Sequence, residues 1–233
     1  MKTTKLLCGT LLLAGSSFAQ TVEISGTAFT GISKFGGSGA AKSSFIYTSI
    51  TADEGYSYTN NPYGARFSIN DGIGMQAQFV SERKYILGAQ LGVEQLRSRT
   101  EITGISSSAY FRYAKGHTTL RHDFINLNPY FGKRLFSSGL DVDLLLGTDL
   151  GVCLKSEENG EAEDSNGETI TTSEERIRPR TDVRPRIGLA MYKNRFGLNL
   201  SYAHGLTSYT GERDGSNVEN YMRVVRLGLS YRL

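Results

Sequence analysis

From Leu140 to Lys155 the chain alternates. Leu140, Val142, Leu144, Leu146, Thr148, Leu150, Val152 and Leu154 fall on one side; Asp141, Asp143, Leu145, Gly147, Asp149, Gly151, Cys153 and Lys155 fall on the other. A strand sends successive side chains to opposite faces, whereas a helix would scatter the three aspartates around its circumference. The run is far longer than the usual strand of roughly 5–6 residues and long enough to cross a bilayer, which takes about 9–11. The same period recurs in Val22–Phe35, within Tyr63–Ser81, from Tyr85 to Glu94, and in Asp123–Phe136, Thr181–Tyr192, Phe196–Ala203 and Val224–Leu233. Asn70-Asp71-Gly72 predicts a bulge or bend. Pro129 predicts another, because proline cannot donate to a ladder.

Between these strands, long and short connections take turns. Gly36–Pro62, Arg97–Leu120, Ser156–Arg178 and Thr207–Asn220 read as long polar loops; Glu82-Arg83-Lys84, Ser137-Ser138-Gly139 and Lys193-Asn194-Arg195 read as tight turns. The pattern predicts an all-β fold, an eight-stranded antiparallel up-and-down transmembrane β-barrel with both termini on the short-turn side. In lipid the last strand must close on the first, since an open edge leaves backbone groups unpaired at several kcal/mol each.

Alternation alone does not say which face is outside, and a soluble lipocalin-like barrel of the periplasm, with its apolar face around a ligand, alternates too. The polar face here is crowded with small residues, among them Gly88, Gly92, Gly147, Gly151, Gly197 and Ser201, as the narrow interior of an eight-stranded barrel requires. The same face carries Glu94, Asp141, Asp143 and Asp149 against Arg184, Arg186, Arg226 and Arg232. Buried charges need partners, and breaking such a pair costs about 3–5 kcal/mol. These eight residues are therefore the candidate interior cluster, holding the barrel shut. The alternative role is a narrow polar path for water or ions.

Composition changes the picture in three ways. Met1–Ala19 has a basic start (Lys2, Lys5), an apolar run and a small-x-small end, so it is expected to be a signal peptide, with residues 20–233 the barrel domain. Removing its two lysines takes the formal net charge from +3 to +1, and no basic block points to nucleic acid. Cys153 is then the one cysteine left, which excludes an intramolecular disulfide framework. The mean hydropathy of −0.30 suits a membrane barrel as well as a soluble protein, since only alternate residues meet lipid.

Asp182–Leu206 (DVRPRIGLAMYKNRFGLNLSYAHGL), Asn126–Phe136 (NLNPYFGKRLF) and the closing RLGLSYRL resemble the outer-membrane β-barrel domain family common in Bacteroidota, often called PorT-like. They resemble OmpA- and OmpX-type barrels more loosely. The resemblance covers the whole mature chain. It implies a Gram-negative outer-membrane location, contact with outer-membrane lipid and lipopolysaccharide, and reading of the last strand, with Tyr231 and Leu233, by the barrel-assembly machinery. It implies no particular activity.

Candidate chemistry is sparse. His117, His122 and His204 read as loop or rim residues. The histidine–serine spacing of outer-membrane lipid A deacylases is missing at His204, which Gly205 and Leu206 follow. Glu157, Glu158, Glu161, Glu163, Asp164, Glu168, Glu174 and Glu175 crowd one loop, read as solvated because their spacing matches no calcium loop. Cys153 is expected to face the interior and be inert. Tyr47, Tyr56, Tyr58, Tyr63, Tyr110 and Tyr113 suit an interfacial girdle or a recognition surface. No catalytic, cofactor-binding or metal-binding residue is expected. The expected protein is a non-enzymatic monomer with a structural role, or one that recognises an extracellular partner through four outer loops. The enzyme alternative, a lipid-modifying one, would need a serine, histidine or carboxylate cluster at one barrel rim.

Overall fold

A computed structural model describes residues 21–50, 55–136, 139–177, 179–210 and 218–233. The candidate signal peptide lies outside them, as do Ser137 and Ser138 of one expected turn and half of the segment from Thr207 to Asn220. The described residues form strands and their connections, without helix: β1 (Thr21–Gly36), β2 (Ser43–Ile50), β3 (Gly55–Thr59), β4 (Arg66–Val80), β5 (Tyr85–Ser106), β6 (Phe111–Phe136), β7 (Asp141–Asp164), β8 (Thr169–Glu175), β9 (Thr181–Lys193), β10 (Phe196–His204) and β11 (Tyr221–Arg232).

Antiparallel pairing runs β5–β4–β1–β11–β10–β9–β7–β6, and β6 pairs in turn with β5. These are the strands the alternation predicts, and each has a neighbour on both sides. Among the described residues the short connections at Glu82–Lys84 and Lys193–Arg195 are as expected; Lys84 and Asn194 take positive φ in them, the second a residue that tolerates the left-handed region. The faces also separate as their parity predicts. Ile73, Met75, Leu87, Leu91, Leu127, Leu146, Leu150, Leu200 and Leu229 are exposed, whereas Gln78, Gln90, Glu94, Asn128, Asp149, Arg184 and Arg226 are buried.

The structure corrects several expectations. Three of the four long connections are not simply loops. Gly36–Pro62 contains β2 and β3, Arg97–Leu120 is the continuation of β5 and β6, and Ser156–Arg178 is the end of β7 with β8. The strand count among the described residues therefore rises to eleven, and β2 joins β5 in parallel. The reason is a change of pattern. On β5, Arg97, Arg99 and Glu101 face outward while Leu96, Ser98, Thr100 and Ile102 are buried. Alternation persists, with apolar groups now inside and charges outside. On β7 the parity itself resets: Phe124 pairs with Cys153 but Asp123 with Lys155, so Leu154 is an extra residue, a β-bulge. Below it the odd positions are buried; above it Ser156, Glu158, Ala162 and Asp164 are.

The register does slip between Phe67 and Asp71, as Asn70-Asp71-Gly72 predicts. It does not slip at Pro129. Gly88, Ala89 and Gln90 pair in step with Tyr130, Pro129 and Asn128, and toward β7 the rungs pass from Leu127–Leu150 to Tyr130–Gly147 without a shift. The missing N–H interrupts the ladder there without adding a residue.

Buried apolar side chains form three groups. Val80, Ile86 and Tyr130 lie near the short-turn end. Phe35, Leu96, Leu120, Phe124, Cys153, Tyr209 and Met222 lie higher up, and Ile46, Ile102, Ile105, Ala114 and Ala162 fill the extension built by β2 and the upper parts of β5, β6 and β7.

Candidate functional site

The eight predicted residues lie in two groups. In the upper one, Glu94 on β5 receives Arg184 of β9 and, at 2.6 Å, Arg226 of β11. Arg226 also reaches Asp149 of β7 at 2.9 Å, and Arg186 lies 3.4 Å from the same carboxylate. Asn126 donates to Glu94 at 2.9 Å and Arg186 to Gln90 at 3.0 Å. In the lower group, Arg232 sits 2.6 Å from Asp141 and 4.0 Å from Asp143. Three participants were not among the eight. Asp182 lies 3.4 Å from Arg184. Glu23 and Arg134 bond one another at 2.9 Å, and Arg134 also donates to Asp143 at 2.7 Å. All three share the parity of their strands' other buried positions, which is the signal that finds them.

Between the groups is a cavity of about 40 Å³, lined by Thr27, Gln76, Gln90, Asn128, Arg186 and Arg226 among others. Asn128 Nδ2 and Arg226 Nη1 have no protein partner, and a buried water needs only about 10–15 Å³. The cavity is closed above by apolar side chains. The next buried position after Glu94 on β5 is Leu96; from Arg226 on β11 they are Val224 and Met222, and from Asn126 on β6 it is Phe124.

His122 belongs to this cap. It is not a rim residue but is buried against Phe35, Phe124 and Tyr209, with neither ring nitrogen hydrogen-bonded. Tyr209 donates its hydroxyl to Asp182, tying cap to charges. His117 stands on the outer face of β6, and His204 on β10 bonds Tyr202 at 3.0 Å. The three histidines thus stand on separate surfaces. Cys153 is buried in the cap, as its parity predicts. Among the described residues no group of three or more His, Cys, Asp or Glu side chains is placed to hold a metal ion.

Above the cap a buried carboxylate holds the extension together. Glu158 Oε1 accepts from Thr59 N at 2.7 Å and from Thr172 Oγ1 at 2.9 Å, while Arg176 Nε donates to Oε2 at 2.7 Å. Thr59 and Thr118 share a hydroxyl bond at 2.6 Å. The remaining gap between β3 and β8 is bridged by Ser57 with Thr171 and Thr172, each bond 2.7 Å long. At the tip of β7, Asp164 accepts the N–H groups of Glu168 and Asn166 and pairs with Arg112 at 3.1 Å. Those bonds, that of Glu168 first, hold its carboxyl below the usual value. The expected acidic loop is therefore an ordered hairpin whose Glu158 and Asp164 point inward. On the outer surface of β2 and β3, Tyr58 stacks near Tyr47 and Tyr56, with Arg176 over its ring at 5.4 Å, and on β6 Tyr113 is 79% exposed.

No protein-family model matches the chain, and no curated protein matches it. Among solved structures it is similar to Ail, the attachment invasion locus protein of Yersinia pestis, in complex with the heparin analogue sucrose octasulfate, at 14% identity and a TM-score of 0.37 over 91% of this chain and 99% of that one. It is also similar to Neisserial surface protein A, at 10% identity and a TM-score of 0.35 over 92% of this chain and 99% of that one.

Proposed function

We propose that the chain is a non-enzymatic outer-membrane β-barrel protein whose eight long strands close on one another, and whose β extension presents a recognition surface outside the cell. The observation that carries this is the polarity of the two faces. Each of the eight strands puts large aliphatic or aromatic side chains on its exposed face, while at the level of the belt the buried faces together carry arginine, glutamate, aspartate, amide and hydroxyl groups. A soluble monomer rarely exposes a contiguous apolar patch beyond a few hundred Å²; a lipid belt requires one. Phe79, Tyr85, Phe131, Phe196 and Tyr231 fall at its short-turn border, the place of an aromatic girdle.

On this reading Met1–Ala19 directs export, the barrel-assembly machinery recognises the last strand, and the folded monomer contacts lipid and lipopolysaccharide directly. The likeness to PorT-like barrels belongs to the same reading. The charged clusters are structural: they hold the strands together and, with the apolar cap, block a conducting path. A lipocalin-like protein would need a roomy apolar chamber, and the cavity here is about 40 Å³, with Arg186, Arg226 and amide groups lining it beside Phe29, Tyr130 and Leu145. The extension raises Tyr47, Tyr56, Tyr58 and Tyr113 above the membrane as contact residues for an extracellular partner.

Cell fractionation with gel electrophoresis before and after boiling tests the proposal. Outer-membrane recovery and a heat-dependent shift in migration are expected. A soluble periplasmic protein without a shift would overturn it.

A further inference from the structure

Resting on that outer-membrane reading, we infer that Lys34 and Arg223, with His204 beside them, form a phosphate-binding site for a phosphorylated lipid of the outer leaflet. The register places them. Tyr202, Val225, Ile32 and Ile69 pair across β10, β11, β1 and β4, the top row of the apolar belt on this side. The next outward position toward the long connections on the first three strands is His204, Arg223 and Lys34, paired in sequence. Three basic side chains thus stand side by side on one face, directly above groups that meet acyl chains.

Like charges opposite one another destabilise a sheet, so this row calls for a counter-charge. The structure supplies none: among the described residues no carboxylate ion-pairs with Lys34 or Arg223, and Glu219, on the approach to β11, accepts the Tyr221 hydroxyl. Other basic groups near the top of the belt are matched differently, Arg97 by Asp71 at 2.8 Å and Arg121 by Asp123 and Glu157 at 3.1 and 3.0 Å.

The geometry is also built. The Arg223 guanidinium lies across Gly36, where a Cβ would come within 2.6 Å of Nε and 2.9 Å of Nη2. Glycine at that position lets the guanidinium rest on β1, whose previous outward residue is Lys34. Lys34 is propped 4.5 Å above the Phe67 ring. Arg223 Nε is buried against β1 without a protein partner. Arginine suits phosphate through its fork of donors, lysine as a point charge. The position at the lipid border selects a headgroup phosphate, whose acyl chains then lie on Tyr202, Val225 and Ile32.

The test uses the purified protein in a neutral detergent, titrated with bis-phosphorylated lipid A and with the same lipid stripped of its phosphates. The wild type should retain the phosphorylated form preferentially. Lys34→Gln with Arg223→Gln should lower that retention by roughly 25-fold, about fivefold for each cation removed from an anionic lipid surface, and leave the stripped lipid unaffected. Equal retention by variant and wild type would overturn the inference. Inorganic phosphate binding the wild type as tightly as the lipid does would overturn the choice of a lipid ligand. The heat-shifted gel band confirms that each protein is folded; if the double variant lacks it, Arg223→Gln alone is compared, with at least a fivefold loss expected. A wild type that is water-soluble and shows no heat shift would instead overturn the membrane reading itself, and the inference with it, before lipid is added.

Discussion

Replacing Glu94 by glutamine removes one negative charge from a cluster that holds three buried carboxylates, Glu94, Asp149 and Asp182. Glu94 receives Arg184 and Arg226, and with Asp149 and Asp182 it balances three arginines against three carboxylates. Glutamine keeps the size and one acceptor oxygen, so packing barely changes; what remains is an uncompensated cation among buried side chains. Breaking a buried pair in this way costs about 3–5 kcal/mol, a large part of the roughly 5–15 kcal/mol that holds a domain folded. Purified protein in detergent would be titrated with urea, and the folded fraction read from the unboiled gel band. The midpoint should fall by an amount equivalent to about 3 kcal/mol or more. Adding Arg226→Gln restores neutrality, so the double variant should lose clearly less than the two single losses combined, with a coupling of roughly 0.5–3 kcal/mol. A Glu94→Gln protein within about 0.5 kcal/mol of wild type, or a double variant that loses the full sum, would refute the idea that charge balance holds this layer.

Neighbouring residues on β7 should respond in opposite ways. Leu146→Arg, on the exposed face, should cost about 2–4 kcal/mol in a bilayer, whereas Gly147→Arg should give no heat-shifted band, since even its Cβ would lie 2.6 Å from the Pro129 carbonyl oxygen; a wild-type-like Leu146→Arg would sink the facing assignment. Ile102→Ala should cost about 2–5 kcal/mol of local stability in the extension, seen as faster proteolysis between residues 97 and 120 with an unchanged urea midpoint for the barrel. Asp164 gives a pH signature. Its folded-state value lies below the ordinary 3.8, so its contribution is present above that value and fades as the pH falls through the lower one. Amide exchange at residues 165–168 should therefore accelerate only below about pH 4, and Asp164→Asn should accelerate it at pH 7.

The eight long strands are legible because outward-facing apolar positions keep a period of two over long runs, as from Leu140 to Leu154. The charged cluster is legible for the same reason, and parity extended to Glu23, Arg134 and Asp182 would have completed it. The extension is harder to read. Arg97, Arg99 and Glu101 alternate with Ser98, Thr100 and Ile102, a weak contrast that looks like a polar loop unless the reader allows the inside and outside to exchange character. The bulge at Leu154 hides the continuation of β7, since a single extra residue shifts Glu158 and Asp164 onto the buried face. His122 is misread because the groups that bury it, Phe35 and Tyr209, come from distant parts of the chain.

What changes along the long axis is the solvent, and the packing follows it. Within the belt the proposed surroundings are hydrocarbon, so an aliphatic side chain gains nothing by turning inward; the buried face is left to hydrogen bonds and ion pairs, which strengthen one another in a low dielectric when every member is matched. Above the belt the surroundings are water, and ordinary hydrophobic burial becomes available again. There Ile46, Ile102, Ile105, Ala114 and Ala162 take the inside, and Lys115, Glu161 and Glu163 the outside. The cap of Phe35, Leu96, Leu120 and Phe124 lies where one scheme gives way to the other, and the bulge at Leu154 is placed at that same level. A strand that ran on through Leu154 in regular alternation, without the bulge, would put Lys155 and Glu157 inside an apolar layer and Ala162 in water. The bulge that takes up Leu154 is therefore what lets this sequence serve both environments on one strand.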